Sequence, residues 1–274
     1  MRTVVMRSRE WAHPSPPVRR EVLSAAPEEG TRSGTPEKSP PPVLFVPGYG
    51  HGAWAYAEHW LEHAASRGFP AYAMSLRGYG ASGSTPRTRF ADYVHDVTQV
   101  AASLPRQAVL VGHGAGALVV AQAMARYPAR AGVLVSPVFG GPAAAFGQLR
   151  ANPAGTLPAL FGGGVRLRRS HLFSRELQGS ISQGYQQRLE RIPGAAARHL
   201  VRSRTPEGPV GNPPVLVVGS PDDRLVSRAT LERVARDNGG APLLFPGMGH
   251  DLMLDARWQE PIDAILDWLE KPDA

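Results

Sequence analysis

The stretch GHGAG at residues 112–116 constrains the fold more than any other, because it joins two apolar runs of different character. Residues 108–111 before it are continuously apolar, as expected of a strand that is buried on both faces. Residues 115–127 after it are predicted to form a helix that ends before Pro128. Glycine permits the tight turn between them. The stretch therefore predicts a strand, a sharp turn and a helix in succession.

The same alternation of short apolar runs and helical segments continues along most of the chain, which predicts a mostly parallel sheet with helices on both faces. Reactive groups in such sheets gather at the carboxyl ends of the strands. The predicted strands are residues 3–6, 18–23, 43–46, 71–76, 107–111, 133–135, 215–218 and 243–245, and the predicted helices are residues 53–67, 90–104, 115–127, 229–237 and 258–269.

Two segments depart from this alternation. Residues 26–42 are rich in proline, glycine, glutamate and serine and are predicted to be a flexible linker, so residues 1–42 form an N-terminal segment. Residues 141–212, with predicted helices at 173–183 and 185–203, are long enough to predict a lid. The core is then expected to comprise residues 43–140 and 213–274.

Composition excludes several classes of site. The chain has no cysteine, so it has no disulfide, no thiolate nucleophile and no cysteine metal ligand. Histidine and acidic residues show no metal-ligand spacing along the sequence, and we expect neither a metal nor a cofactor. No apolar run is long enough to cross a bilayer, and the N-terminus lacks a signal-peptide pattern. We therefore expect a cytoplasmic protein without a membrane partner.

The positive charge is concentrated in one segment. The net charge is +7, and residues 141–212 alone carry ten arginines against three glutamates. No nucleic-acid-binding motif accompanies this charge, so we expect no nucleic-acid partner. The arginines favour a small anionic or carrier-bound substrate, such as a carboxylate, a coenzyme A thioester or an acidic carrier protein. An arginine-rich composition that produces only a solvated basic surface explains them equally well.

Five motifs give the chain a family resemblance. Their order and spacing resemble the oxyanion loop, second loop, nucleophile elbow, acid loop and histidine loop of the α/β-hydrolase family. The resemblance covers nearly all of the chain after residue 42 and implies the α/β-hydrolase fold. The motifs are PGYGHGAW at 47–54, SLRGYGASG at 75–83, VGHGAG at 111–116, VLVVGSPDDRLVS at 215–227 and FPGMGHDLM at 245–253.

The resemblance also implies roles for particular residues. His250 is expected to be the catalytic base, and Asp223 is expected to orient it, with Asp222 as a competitor for that role. The backbone N–H groups of Tyr49 and Ala115 are expected to form the oxyanion hole, since Ala115 begins a helix whose first amides are free.

Two further histidines, His51 and His113, flank the expected oxyanion site. A histidine beside a glycine turn more often contributes packing or a substrate contact than a base. We therefore assign neither His51 nor His113 a catalytic role.

Gly114 stands where the resemblance expects a nucleophilic serine, and glycine has no side chain that can attack. A base made of His250 and Asp223 could instead act on water or on the substrate, which permits direct hydrolysis, elimination, isomerisation or cyclisation of a small acyl or carbonyl compound. The chain could also be a ligand-binding protein without catalysis, or an engineered change could have replaced a serine at position 114. Finally, residues 112–117 match a dinucleotide-binding fingerprint, although residues 135–139 lack the acidic residue that such a site requires.

Overall fold

The computed structural model describes residues 2–3, 17–27, 39–139, 155, 157, 163–194, 196, 198, 200 and 207–271. Their strands form one eight-stranded sheet in the order β1-β2-β4-β3-β5-β6-β7-β8. The strands are β1 Arg2–Thr3, β2 Val22–Ala25, β3 Val43–Val46, β4 Ala71–Met74, β5 Val109–His113, β6 Ala131–Val135, β7 Val215–Gly219 and β8 Leu243–Leu244.

Strands β3 to β8 run parallel, and β1 and β2 extend the sheet in the antiparallel sense. Every residue of β3, β5 and β6 is buried, because these central strands have apolar helices against both faces. The parallel register places the carboxyl ends of β3, β5, β6 and β7 at one edge of the sheet. The loops that follow these strands therefore meet there.

The helices cover the two faces of the sheet and form two apolar clusters. Tyr56, Trp60 and Ile265 belong to one cluster, and Val119 and Leu231 belong to the other. No helix among the described residues is long and apolar enough to cross a membrane. The helices are α1 Trp54–Ala57, α2 Trp60–Ser66, α3 Phe90–Ser103, α4 Ala115–Met124, α5 Arg169–Leu172, α6 Gly179–Arg188, α7 Arg228–Asp237 and α8 Gln259–Leu269, with a 3-10 turn at Leu252–Leu254.

The predicted helix at residues 53–67 is two helices. His59 leaves the helical region with φ −142°, and its ring stacks on Trp258 of the C-terminal segment with centroids 4.5 Å apart. A tertiary contact therefore interrupts a sequence with helical spacing. The strand predicted at residues 18–23 begins later, at Val22, while Arg20 before it is buried in an ion pair with Asp96 at 2.8 Å.

The insertion (residues 141–212) also differs from its predicted helices. Residues 173–178 are not helical, and α6 begins only at Gly179. The helix predicted from residue 185 to 203 is interrupted after Arg188, because Leu189 is extended and Ile192 pairs with Val165 in an isolated bridge. Most of residues 141–162, residues 201–206 and residues 28–38 of the predicted linker lie outside the described residues.

Candidate active site

The turn between β5 and α4 has the backbone of a nucleophile elbow. Gly114 adopts φ 55° and ψ −121°, which side chains rarely accept. Its N–H donates to the Val135 carbonyl at 3.0 Å, and its carbonyl accepts from the Val138 N–H at 3.0 Å. A Cβ at Gly112 would lie 2.7 Å from Ala117 Cα. This close approach of strand and helix explains the glycines of the motif.

His250 and Asp223 face each other across two loops of the same sheet edge. His250 Nδ1 lies 2.7 Å from Asp223 Oδ2, and both side chains are buried. Asp223 Oδ1 also accepts hydrogen bonds from the N–H groups of Leu225 at 2.7 Å and Val226 at 3.1 Å. The carboxylate is therefore fixed by three donors, and it holds the imidazole in one orientation.

Asp222 has a different contact. Its side chain is exposed and accepts a hydrogen bond from the Gly247 N–H at 2.7 Å. It stabilises the turn that leads into the histidine loop. Of the two aspartates, the structure brings Asp223 and not Asp222 to His250.

The second ring nitrogen of His250 points at the elbow. A Cβ added to Gly114 would lie 3.2 Å from His250 Nε2. Burial lowers the pKa of His250, but the charge of Asp223, its hydrogen bond and the charge of Asp251 raise the pKa by more, so the net shift is upward. Because Nδ1 donates to Asp223, Nε2 of the neutral ring offers its lone pair toward the space beside Gly114.

The two expected oxyanion donors lie on neighbouring segments. A Cβ at Gly48 would lie 3.7 Å from the Ala115 nitrogen, so the loop after β3 passes beside the N-terminus of α4. Within the described part of the chain, neither the Tyr49 N–H nor the Ala115 N–H donates a hydrogen bond to protein. The buried Tyr49 ring stacks on Tyr79 with centroids 6.1 Å apart, which anchors its loop.

The fold also assembles a cluster that spacing along the sequence does not indicate. His51, His113 and Asp251 are all buried, and one donor atom from each lies within 4.8 Å of the others. His51 Nε2 is 3.0 Å from Asp251 Oδ2, and His113 Nε2 is 3.4 Å from Asp251 Oδ1. Spacing along the sequence gives no sign of this cluster, because its three members come together only in the fold.

Hydrogen bonds determine how this cluster is protonated. His113 Nε2 lies 3.2 Å from the His250 carbonyl oxygen, and a carbonyl can only accept, so that nitrogen carries a proton. His51 Nε2 likewise donates to the Asp251 carboxylate. A metal ion held through these two Nε2 atoms would have to displace both protons. In this arrangement the two Nε2 nitrogens therefore serve as hydrogen-bond donors rather than as metal ligands.

A cavity of about 320 Å³ lies between the loop after β3 and the insertion. The insertion is attached there by the Glu190 N–H, which donates to the Gly50 carbonyl at 2.8 Å, and by Arg188, which stacks over Trp54 at 4.0 Å. The cavity shares Tyr49 and His51 with the candidate site. Its lining comprises Tyr49, Gly50, His51, Val165, Arg166, Leu167, Gln186, Leu189, Glu190, Arg191 and Ile192.

Comparisons with known proteins agree with this architecture. A family model described as the alpha/beta hydrolase family matches residues 43–267. A thermophilic esterase from Thermogutta terrifontis, solved with malate bound, superposes with a TM-score of 0.70 at 17% identity over 100% of both chains. No curated protein sequence matches the chain significantly.

Two further solved structures share the fold. A soluble variant of monoglyceride lipase from Saccharomyces cerevisiae, in complex with a substrate analogue, has a TM-score of 0.73 at 14% identity over 99% of this chain and 96% of that one. An esterase, RhEst1, from Rhodococcus sp. ECU1013 has a TM-score of 0.73 at 16% identity over 97% and 98% of the two chains. At these identities the structural likeness establishes the fold.

Proposed function

The chain belongs to the alpha/beta hydrolase family, and we propose that it is a hydrolase of small acyl esters in which His250 activates water directly. One observation carries the proposal. The position of the missing side chain at Gly114 lies 3.2 Å from His250 Nε2, while Nδ1 is held by Asp223 at 2.7 Å. The space that a serine would fill thus adjoins an oriented base and can admit the attacking oxygen of water.

The reaction follows from this geometry. His250 Nε2 takes a proton from water as the water oxygen attacks the carbonyl carbon of the ester. The N–H groups of Tyr49 and Ala115 stabilise the negative charge that develops on the carbonyl oxygen. The tetrahedral intermediate then expels the alcohol oxygen, which takes the proton from His250. The products are a carboxylic acid and an alcohol, and no acyl-enzyme forms.

The same base could remove a carbon-bound proton in an elimination, isomerisation or cyclisation. We favour hydrolysis because the solved structures of similar fold include esterases and a monoglyceride lipase. An engineered replacement of serine at position 114 would leave the same machinery in place. It would differ in that water would then be an inefficient substitute for the original nucleophile.

The cavity suggests the class of substrate. Arg166 and Arg191 line it beside His51. Its one lining carboxylate, Glu190, accepts a hydrogen bond from the Gly80 N–H at 2.5 Å. We propose an ester or thioester that also carries a negative charge. Examples are an ester with a free carboxylate, a coenzyme A thioester and the acyl group of an acidic carrier protein.

Turnover of a short-chain chromogenic ester tests the proposed reaction. The wild-type chain is expected to release the alcohol faster than buffer does, and His250→Gln is expected to lose about a hundredfold to ten-thousandfold of that rate. His63→Gln is a matched control, because His63 lies on α2 and contacts Asp263 at 2.6 Å instead. Equal rates for wild type and His250→Gln would refute the role of the base.

The substrate class has its own test. Arg191→Gln is expected to raise KM for a chromogenic ester with a free carboxylate at low salt, and to leave KM for a neutral ester of the same length unchanged. If the protein binds such esters without turning them over, it is a ligand-binding protein that retains the pocket of the fold.

A further inference from the structure

Asp251 is a second carboxylate in the candidate site, and no part of the proposed reaction uses it. Its side chain is fully buried, and its backbone N–H donates to the Leu172 carbonyl of α5 at 2.9 Å. Removing a carboxylate from water costs several kcal/mol unless partners compensate. The partners here are two histidines, His51 from the loop after β3 and His113 from the end of β5.

The partners of Asp251 come from the two segments that carry the oxyanion donors. His51 follows Tyr49 by two residues in the loop after β3, and it contacts Asp251 at 3.0 Å. His113 ends β5 two residues before Ala115, and it lies 3.4 Å from the same carboxylate. Asp251 itself directly follows His250. One carboxylate therefore connects the oxyanion loop, the elbow and the base.

The charge states support this connection. Burial raises the pKa of Asp251, but the charge and the hydrogen bond of the neighbouring His51, followed by the charge of His250, lower the pKa by more. Burial and the charge of His250 lower the pKa of His113 to about 3, so its ring is neutral. The cluster thus holds an ionised carboxylate at neutral pH, and His113 Nε2 donates to the His250 carbonyl while it lies 3.4 Å from Asp251 Oδ1.

We infer that Asp251 is a positioning residue for the proposed reaction: through His51 and His113 it fixes the Tyr49 and Ala115 amides relative to His250, and its charge strengthens His250 as a base. This inference rests on the proposed function for its catalytic meaning. Its two physical effects, on loop order and on the basicity of His250, are measurable without any turnover.

The titratable groups around His250 define the electrostatic effect. Asp223 faces the ring from the loop after β7 at 2.7 Å, and His113 packs on it from β5 with ring centroids 4.7 Å apart. Asp251 contributes from the next residue of the same loop. Because His113 is neutral, the two carboxylates are the charges that favour the protonated form of His250.

The first test is an NMR titration of the His250 imidazole, whose signal is identified by its absence from His250→Gln. Asp251→Asn is expected to lower the pKa of His250, as removal of a nearby negative charge requires. Asp237→Asn changes the net charge equally but lies exposed on α7, 3.9 Å from Arg233, and should leave the titration unchanged. An unshifted His250 titration in Asp251→Asn overturns the electrostatic effect.

The second test uses hydrogen exchange of a peptide that covers residues 47–54, and it remains informative if Asp251→Asn does not fold. His51→Leu removes the donor to Asp251 and is expected to accelerate exchange in this peptide by about tenfold. His51→Gln keeps a donor and should exchange like wild type. Equal protection in all three proteins overturns the positioning effect. Neither result depends on hydrolysis, so a failure here is distinguishable from a failure of the proposed function.

Discussion

The elbow and the histidine loop meet at the same edge of the sheet, yet they differ in what they retain of a hydrolytic site. At the elbow the backbone geometry is complete and the reactive side chain is absent, because position 114 is glycine at φ 55°. In the histidine loop and the turn that follows it, the buried polar side chains are closely partnered: His250 by Asp223, Asp251 by His51, and Asp255 by Ser174 at 2.5 Å. The difference shows that an elbow is made by backbone packing, whereas a base is made by side-chain partners.

The largest loss of activity is expected when the carboxylate that holds His250 is removed. Asp223→Asn is expected to lower ester turnover by about a hundredfold to ten-thousandfold, as much as loss of His250 itself, because the amide no longer stabilises the imidazolium or fixes the correct tautomer. Asp222→Asn is the matched control one residue away, since its exposed carboxylate contacts Gly247 instead. Turnover assays of the two variants decide the point. Similar losses in both would mean that Asp223 has no special role.

The pH dependence of stability tests the elbow side of the site, because the buried His113 at the end of β5 resists protonation. In the unfolded chain His113 becomes protonated as the pH falls below its ordinary pKa of 6.5. In the folded chain its pKa is about 3, so it becomes protonated only near that pH. Stability is therefore lost as pH falls through this window, by roughly 3 kcal/mol between pH 6.5 and about pH 4. Denaturant unfolding at several pH values measures the loss. His113→Gln should remove about that much of the loss in unfolding free energy between the two pH values. An unchanged pH dependence would show that His113 is not held neutral.

The backbone packing of the elbow is tested by adding a side chain to one of its glycines. A Cβ at Gly116 would clash with the Pro47 carbonyl oxygen and lie 2.7 Å from the Val46 carbonyl oxygen, both of them backbone atoms that have little freedom to move. Gly116→Ala is therefore expected to destabilise the fold by about 2 to 3 kcal/mol. Denaturant unfolding of this variant provides the measurement. A loss below that of Gly114→Ala would contradict the packing argument.

The smallest effect is expected at Gly114, where the nearest atom to an added Cβ belongs to the His250 side chain and the backbone lies at ordinary contact distance. Gly114→Ser must hold a residue with a Cβ at φ 55°, and this strain is partly offset by the lower entropy of the unfolded chain, which leaves a net cost of about 1 to 2 kcal/mol. His250 need move only a few tenths of an ångström to admit the new Cβ. The same variant should become reactive toward a fluorophosphonate. A folded but unlabelled variant would show that the base and the oxyanion donors are not poised.

The sequence predicts the parts of this molecule that depend on local pattern. The apolar runs and the five motifs identify the central strands, the elbow and the loops that carry Asp223 and His250. The break after Glu58 was not predictable, since a distant ring at Trp258 causes it. The Asp251 cluster was missed for the same reason: His51 and His113 reach it only once the sheet brings their loops together.

The most direct test of the central claim is intact-mass spectrometry of the protein during steady-state ester hydrolysis, with rapid acid quenching. The account predicts that the wild-type chain releases acid and alcohol while its mass stays unmodified, and that Gly114→Ser gains the mass of one acyl group under the same conditions. An acyl adduct on the wild-type chain, or no wild-type hydrolysis at all while Gly114→Ser is acylated, would contradict direct attack by water activated at His250.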